Sequence, residues 1–210
     1  MANHPFDKYK CDWLPAGEQG NWKIDKFTVS ETDSTFTMVS FMKHGRGHVR
    51  PGTYTSLVRV KKSAFTMPMM SDTHDEIKDH LGFIYRATGD VLIHGLGIGM
   101  CALAVARKPE VKKVLVIENS PDVIKLVAEH LQAQHCGKKI EVREADAFTW
   151  KPAKGERWNT VWHDVWPTLC ADNLPEMAKL HRRFGRRCDW QGSWGKERIQ
   201  DHRRQRASGW

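Results

Sequence analysis

The sequence has no apolar run approaching the roughly 18 residues that a membrane-crossing helix needs, so no spanning segment is expected. Its cysteines are few. Cys11, Cys101, Cys136, Cys170 and Cys188 are odd in number, scattered, and nowhere set as C-x-x-C. That spacing excludes a disulfide framework and a zinc knuckle as readings, and it fits a reducing cytoplasm. The opening residues Met1 to Asp7 lack a basic stretch followed by an apolar one, so no secretory signal is expected. Histidines number eleven, yet they form no ligand pattern. His44 and His48 flank a glycine-rich turn, and His74 and His80 stand six apart, off the i, i+4 spacing of helical metal ligands. No metal is expected. Internal repeats and long low-complexity tracts are also missing.

What is present suits a globular chain. Hydrophobic residues make up 40% and charged residues 28% of 210, enough for one domain of ordinary size with a small N-terminal appendage. The net charge of +8 is unevenly placed. Lys179 to Arg206 holds ten Lys or Arg against Asp189, Glu197 and Asp201, so nearly all the excess sits there. A basic end of this kind is either a solvated surface or a contact for nucleic-acid phosphates or an acidic partner.

Two kinds of periodicity divide the chain. Lys23 to Val29 and Ser34 to Val39 alternate polar and apolar residues, which predicts half-buried strands joined by a turn at Ser30 to Asp33. Tyr54 to Val60 predicts another strand after a turn at Gly45-Arg46-Gly47. Ser71 and Asp72 are placed to cap a helix carrying Glu76, Ile77 and His80, with Leu81-Gly82 near its end. From Asp90 onward, strands and helices alternate. The strands are Val91–Ile93, Lys113–Glu118, Ile140–Arg143 and Asn159–Asp164. The helices are Met100–Ala106, Pro121–Gln134 and Asn173–Phe184. This order predicts an α/β fold with a mostly parallel sheet and helices on both faces.

Candidate site residues fall at strand ends. Gly95, Gly97 and Gly99 follow the first strand of the series and precede a helix, where bare backbone turns sharply and approaches a ligand closely. The spacing is G-x-G-x-G. A dinucleotide fingerprint wants a further glycine at position 100, and Met100 stands there, which argues against a nicotinamide cofactor. Glu118 ends the second strand 19 residues after Gly99, the spacing at which an acid grips ribose hydroxyls. Asp146 and Ala147 follow the third strand, where an acid can accept from an adenine amino group beside a small residue. Asp164 ends the fourth. His163 precedes it and points to the opposite face by strand alternation, so Asp164 is the candidate catalytic group and His163 a structural one. Trp162 and Trp166 are candidates for lining an acceptor pocket.

Gly89 to Pro167 resembles the nucleoside-binding half of Rossmann-like S-adenosylmethionine-dependent methyltransferases, and the spermidine synthase-like branch most of all. His94-Gly95-Leu96-Gly97-Ile98-Gly99 is similar to that branch's glycine loop, Val116 to Ile124 to its ribose segment, and Glu144 to Ala147 to its adenine segment. The resemblance implies S-adenosylmethionine, or its decarboxylated form, held by Gly95, Leu96, Gly97, Gly99, Glu118, Asn119, Asp146 and Ala147, with Asp164 in a catalytic position. Short stand-alone proteins of this type resemble those encoded by bacteriophages. Two departures stand out. Ile98 replaces an acid that aminopropyltransferases carry in the loop, and Val165-Trp166-Pro167 lacks their second aspartate. Methyl transfer to a small-molecule acceptor is therefore the expected activity, aminopropyl transfer is the alternative, and a non-catalytic nucleic-acid or partner-binding protein is the third. The expected division is a β-rich region with its lead-in helix over 1–80, the Rossmann-like domain over 81–187, and a basic tryptophan-containing tail over 188–210. Only 46 residues follow Asp164, so a truncated sheet is expected, with an exposed edge that a homodimer would cover.

Overall fold

The computed structural model describes residues 4–44, 46–60 and 68–207. Two sheets form. The first is antiparallel, with strands in the order β1 (Gly17–Gln19), β2 (Trp22–Val29), β3 (Gly52–Arg59) and β4 (Pro68–Ser71). Helix α1 (Glu31–His44) is an excursion from the β2–β3 hairpin, and α2 (His74–Arg86) leads out of the sheet. The second sheet then builds from β5 (Gly89–His94), α3 (Met100–Ala106), β6 (Val111–Glu118), α4 (Pro121–Gln132), β7 (Ile140–Glu144), β8 (Trp158–His163), α5 (Asn173–Phe184), β9 (Cys188–Ser193) and α6 (Lys196–Ala207). Its five strands are all parallel in the order β7-β6-β5-β8-β9.

Strand alternation splits the interior into two layers. Val91 and Ile93 of β5 share one core with Ile77 and Phe83 of α2, Val105 of α3 and Val127 of α4. Leu92 faces the other side and joins Met177, Leu180 and Phe184 of α5. The long runs in β5 and β6 read as continuous apolar sequence because both faces are covered. Among the described residues no helix is long and apolar enough to cross a membrane.

Three expectations need correction. Ser34–Val39 is helical, not a strand. β2 and β3 pair directly, Val29 with Gly52, so the segment between them has no sheet position to enter. Ser30 and Asp33 then act as a capping box: Asp33 N–H donates to Ser30 Oγ at 3.1 Å, and Ser30 N–H donates to Asp33 Oδ2 at 3.2 Å. The alternating apolar residues end up outside, with Phe36 73% and Met38 39% exposed.

The second correction concerns the start of α2. Its cap position is Thr73, and the Asp72 carboxylate is used elsewhere, accepting from Cys11 N and Thr55 N at 2.7 Å each. Asp72 thus ties the N-terminal segment to β3. The helix also continues past Leu81-Gly82 to Arg86.

The third lies at the basic end. Cys188–Ser193 is a fifth strand paired with β8, and Lys196–Ala207 is a helix, so 188–207 is structured rather than a tail. Trp190 is why the strand belongs there. Its ring stacks on Trp162 at 6.4 Å and 7°, over bare backbone at Gly192.

Candidate functional site

The sheet's strand order reverses at β5. From β5 the chain builds outward through β6 and β7 on one side, then returns to β8 and β9 on the other. Loops after β5 and β8 therefore diverge, and a crevice opens at the strands' C-terminal ends, as the topology of open α/β sheets requires. The crevice holds about 380 Å³. Its floor comes from Gly95, Leu96 and Gly97 after β5, Glu118 and Asn119 after β6, Asp146 and Ala147 after β7, and Asp164 after β8. Its roof is the first sheet, through Trp22, Leu57 and Met70.

Eight of the nine residues singled out from the sequence line this one space. Gly99 does not. It is the cap residue of α3, in the left-handed region at φ 77°, packed against Trp13, Val127 and Leu131. Gly95 and Gly97 are also left-handed, at 95° and 52°. Space adds a second requirement for glycine at Gly95, where the obstacle is backbone, while at Gly97 it is the movable end of a side chain. A β-carbon at Gly95 would stand 2.0 Å from the Asp164 carbonyl oxygen, and one at Gly97 would stand 2.3 Å from Met70 Sδ.

Glu118 is buried at the tip of β6, and both its oxygens are held by backbone. Leu96 N–H donates to Oε2 and Ser120 N–H to Oε1, each at 2.8 Å. A carboxylate offers about four lone-pair directions, so each oxygen keeps one for a further donor. The side chain is thereby fixed between the glycine loop and the start of α4, whose Ser120 cap accepts from Val123 N–H. Asp146 is more exposed. Its Oδ1 accepts from Phe148 N at 2.6 Å and Thr149 N at 3.1 Å, which shapes the turn after β7.

Opposite Glu118 lies a second acidic end. Burial, then the charges of Glu76 and Asp79, push the Asp164 pKa up to about 7. Its Oδ2 is 3.7 Å from His80 Nε2, too long for a hydrogen bond. Burial brings His80 down to about 4, against the opposing pull of Asp79, so its ring is neutral at pH 7. His80 Nδ1 is buried without a partner among the described residues. Glu76 accepts from Ser71 N at 2.9 Å and Ser71 Oγ at 3.2 Å; burial still raises its pKa. Sequence reasoning did not place Glu76 and His80 here. Their i, i+4 spacing on α2 puts them on one helix face, which was the available signal.

The remaining candidates separate. His163 is fully buried on the far side, with its Nδ1 2.7 Å from His94 Nδ1 and its Nε2 3.2 Å from Gln191 Oε1; burial takes its pKa down to about 3. Trp162 is stacked against Phe83 at 5.0 Å and does not line the crevice. Trp166 does line it, anchored by a 2.7 Å bond from Nε1 to Glu176. Ile98 is fully buried in the core, so that loop position contributes nothing to the crevice. Among the described residues no group of three or more His, Cys, Asp or Glu is placed to hold a metal ion.

A glycine loop on the central strand, an acid on its neighbour and an all-parallel doubly wound sheet define a Rossmann-like α/β protein. No family model matches the chain, and no curated protein matches it. Partial likeness to solved structures is found. The CcbJ methyltransferase from Streptomyces caelestis is 18% identical with a TM-score of 0.44, over 53% of this chain and 47% of that one. The 23S rRNA methyltransferase ErmE is 18% identical at 0.43, over 55% and 43%. The N-terminal domain of EvdMO1, crystallised in the presence of SAH and D-fucose, is 22% identical at 0.41, over 53% and 46%. The chain thus spans about half the length of the structures it matches.

Proposed function

We propose that this chain is an S-adenosylmethionine-dependent methyltransferase acting on a small-molecule acceptor. The observation that carries the reading is the Glu118 carboxylate, held by Leu96 N–H and Ser120 N–H beside a bare glycine turn. The residues fit the adenosyl group. Glu118 keeps lone pairs for two vicinal ribose hydroxyls, and the left-handed Gly95 and Gly97 present bare backbone to the crevice. Ala147 and Phe148 offer an apolar bed for a purine, with Asp146 beside it.

When bound, the sulfonium cofactor supplies an already activated methyl group. The chain's own work is then alignment, exclusion of water and handling of one proton. Trp22, Leu57 and Met70 close the crevice from above. Asp164 is ionised above about pH 7 and can accept a proton from an acceptor's nitrogen or oxygen at its Oδ atoms. Neutral His80 beside it adds no cation to hold that proton off.

Aminopropyl transfer is the second reading, and one observation favours it. Glu76 from α2 lines the same crevice as Asp164, supplying a second carboxylate that the segment after β8 lacks. Calorimetric titration with S-adenosylmethionine, its decarboxylated form and NAD tests all three cofactors. Heat from S-adenosylmethionine is the expected result. Tighter binding of the decarboxylated form would favour aminopropyl transfer, and heat from NAD alone would overturn both.

A further inference from the structure

We infer that a second groove, on the other side of α2, binds single-stranded nucleic acid. This groove, of about 510 Å³, runs between α2 and the β9–α6 turn and is separate from the cofactor crevice. Its rim carries Arg46, Lys78, Arg86, Lys196 and Arg198 against two acids, Asp79 and Glu197, so it is net positive by three. His181 also lines it, but burial and the neighbouring Lys196 hold its pKa down to about 4, and it adds no charge at neutral pH.

The wall of this groove is what separates the proposal from a merely basic surface. Phe83, Trp162 and Trp190 form a ladder of parallel rings: 5.0 Å and 6° between the first pair, 6.4 Å and 7° between the second. Gly192 lets the two indoles lie against bare strand, since a β-carbon there would meet Trp190 at 2.6 Å and Trp162 at 2.8 Å. The ladder ends at half-buried Trp190, whose ring has the guanidinium of Arg86 5.6 Å from its centre. An unpaired base can add to such a stack as its next layer, beneath or in place of that guanidinium, while Lys78 and Lys196 meet the flanking phosphates; Arg46 and Arg198 are held by Asp79. Inside a duplex each base is already stacked on both faces and only an end pair has a free one, so a single strand is the favoured occupant. An acidic peptide would satisfy the rim but leave the ladder unused.

A hydroxyl and an imidazole also meet here, and they do not make a nucleophile. Lys196 Nζ lies 3.2 Å from His181 Nδ1 and has only protons to donate. The ring's own proton is then on Nε2, 2.8 Å from Ser193 Oγ, so His181 cannot take the serine proton. Binding is the role that remains.

The test is fluorescence anisotropy of labelled ten-nucleotide oligo(U) and oligo(dT) with the full chain, across a salt series. Lys78→Glu/Arg86→Glu, both exposed, should weaken binding at least tenfold and flatten the log–log salt slope by about 1.4. Lys112→Glu/Lys138→Glu makes the same change in net charge at exposed positions away from the groove and should cost less than twofold. Trp190→Ala should weaken binding at least fivefold with little change in salt slope. Equal losses in the two charge-reversed variants would overturn the proposal. So would polyglutamate or a duplex of equal length binding as tightly as oligo(U). None of these outcomes depends on whether the crevice binds S-adenosylmethionine.

Discussion

Gly95 packs its α-carbon against the backbone carbonyl of Asp164, so closely that one added methyl would stand 2.0 Å from that oxygen. Two strand tips, β5 and β8, are thus in direct backbone contact across the floor of the crevice. The glycine is required by distance as well as by its left-handed φ of 95°. Gly155 provides a contrast, with φ 83° but nothing within 4 Å of the place an added methyl would take. Gly155→Ala should cost about 1 kcal/mol from backbone strain alone. Gly95→Ala adds a backbone clash and should cost at least about 3 kcal/mol, read by urea unfolding.

Gly97 differs again, because the obstacle there is a flexible side chain, Met70 Sδ at 2.3 Å. Gly97→Ala should weaken S-adenosylmethionine binding by at least tenfold in calorimetry. Shortening Met70 in the same protein should recover stability more than affinity, since the added methyl still covers the bare backbone of the glycine turn.

Glu118→Gln keeps the size of the side chain but faces one backbone N–H with an NH₂ group. A stability loss of about 1–3 kcal/mol follows from leaving one buried donor unmatched. Affinity for the adenosyl ligand should fall at least tenfold, because one of the two ribose acceptors becomes a donor and the carboxylate charge is lost. Unchanged affinity with the expected stability loss would remove Glu118 from the binding site.

Asp164 gives a pH signature. Burial, with the Glu76 and Asp79 charges, raises its folded pKa to about 7, above the value in the unfolded chain. Between those two values the folded protein holds a proton that the unfolded chain has released, so this group's contribution to stability falls as pH rises toward 7. Asp164→Asn removes that loss. Its Tm relative to the parent should therefore rise between pH 5 and pH 8, by about 2–4 °C for each kcal/mol recovered. The same variant should keep S-adenosylmethionine binding and lose turnover, while the parent's rate should climb through pH 7 as the carboxylate ionises. A flat pH–rate profile would remove Asp164 as a base.

Asp79 joins three elements, accepting from Arg46 at 2.7 and 2.9 Å and from Arg198 at 3.1 Å. Asp79→Ala should destabilise by about 1–3 kcal/mol, because two arginines lose their carboxylate at once. Hydrogen exchange should show the loss concentrated in α6 and in the segment after α1.

Much of the second sheet was legible because its central strands, β5 and β6, are short apolar runs, each followed by a helix. Met100–Ala106 and Asn173–Phe184 match their expected limits, since Pro109 and Gly185 punctuate them. The glycine loop and the strand-end acids could be placed because parallel topology brings strand ends together whatever their separation in sequence. Other parts were not legible for physical reasons. Ser34–Val39 carries a strand pattern, but a local Ser30–Asp33 cap decided in favour of helix where no sheet position was open. β9 holds Gly192 and few apolar residues, and its place comes from Trp190 finding Trp162, a contact no local pattern encodes. Glu76 and His80 reach the crevice only because α2 crosses beneath the roof.

That helix is a party wall. Glu76 and His80 face the crevice from it, while Lys78, Asp79 and Arg86 line the groove behind. Thermodynamic linkage makes such an arrangement reciprocal. Whatever factor an occupant on one side imposes on affinity across the helix, the occupant opposite must return in equal measure.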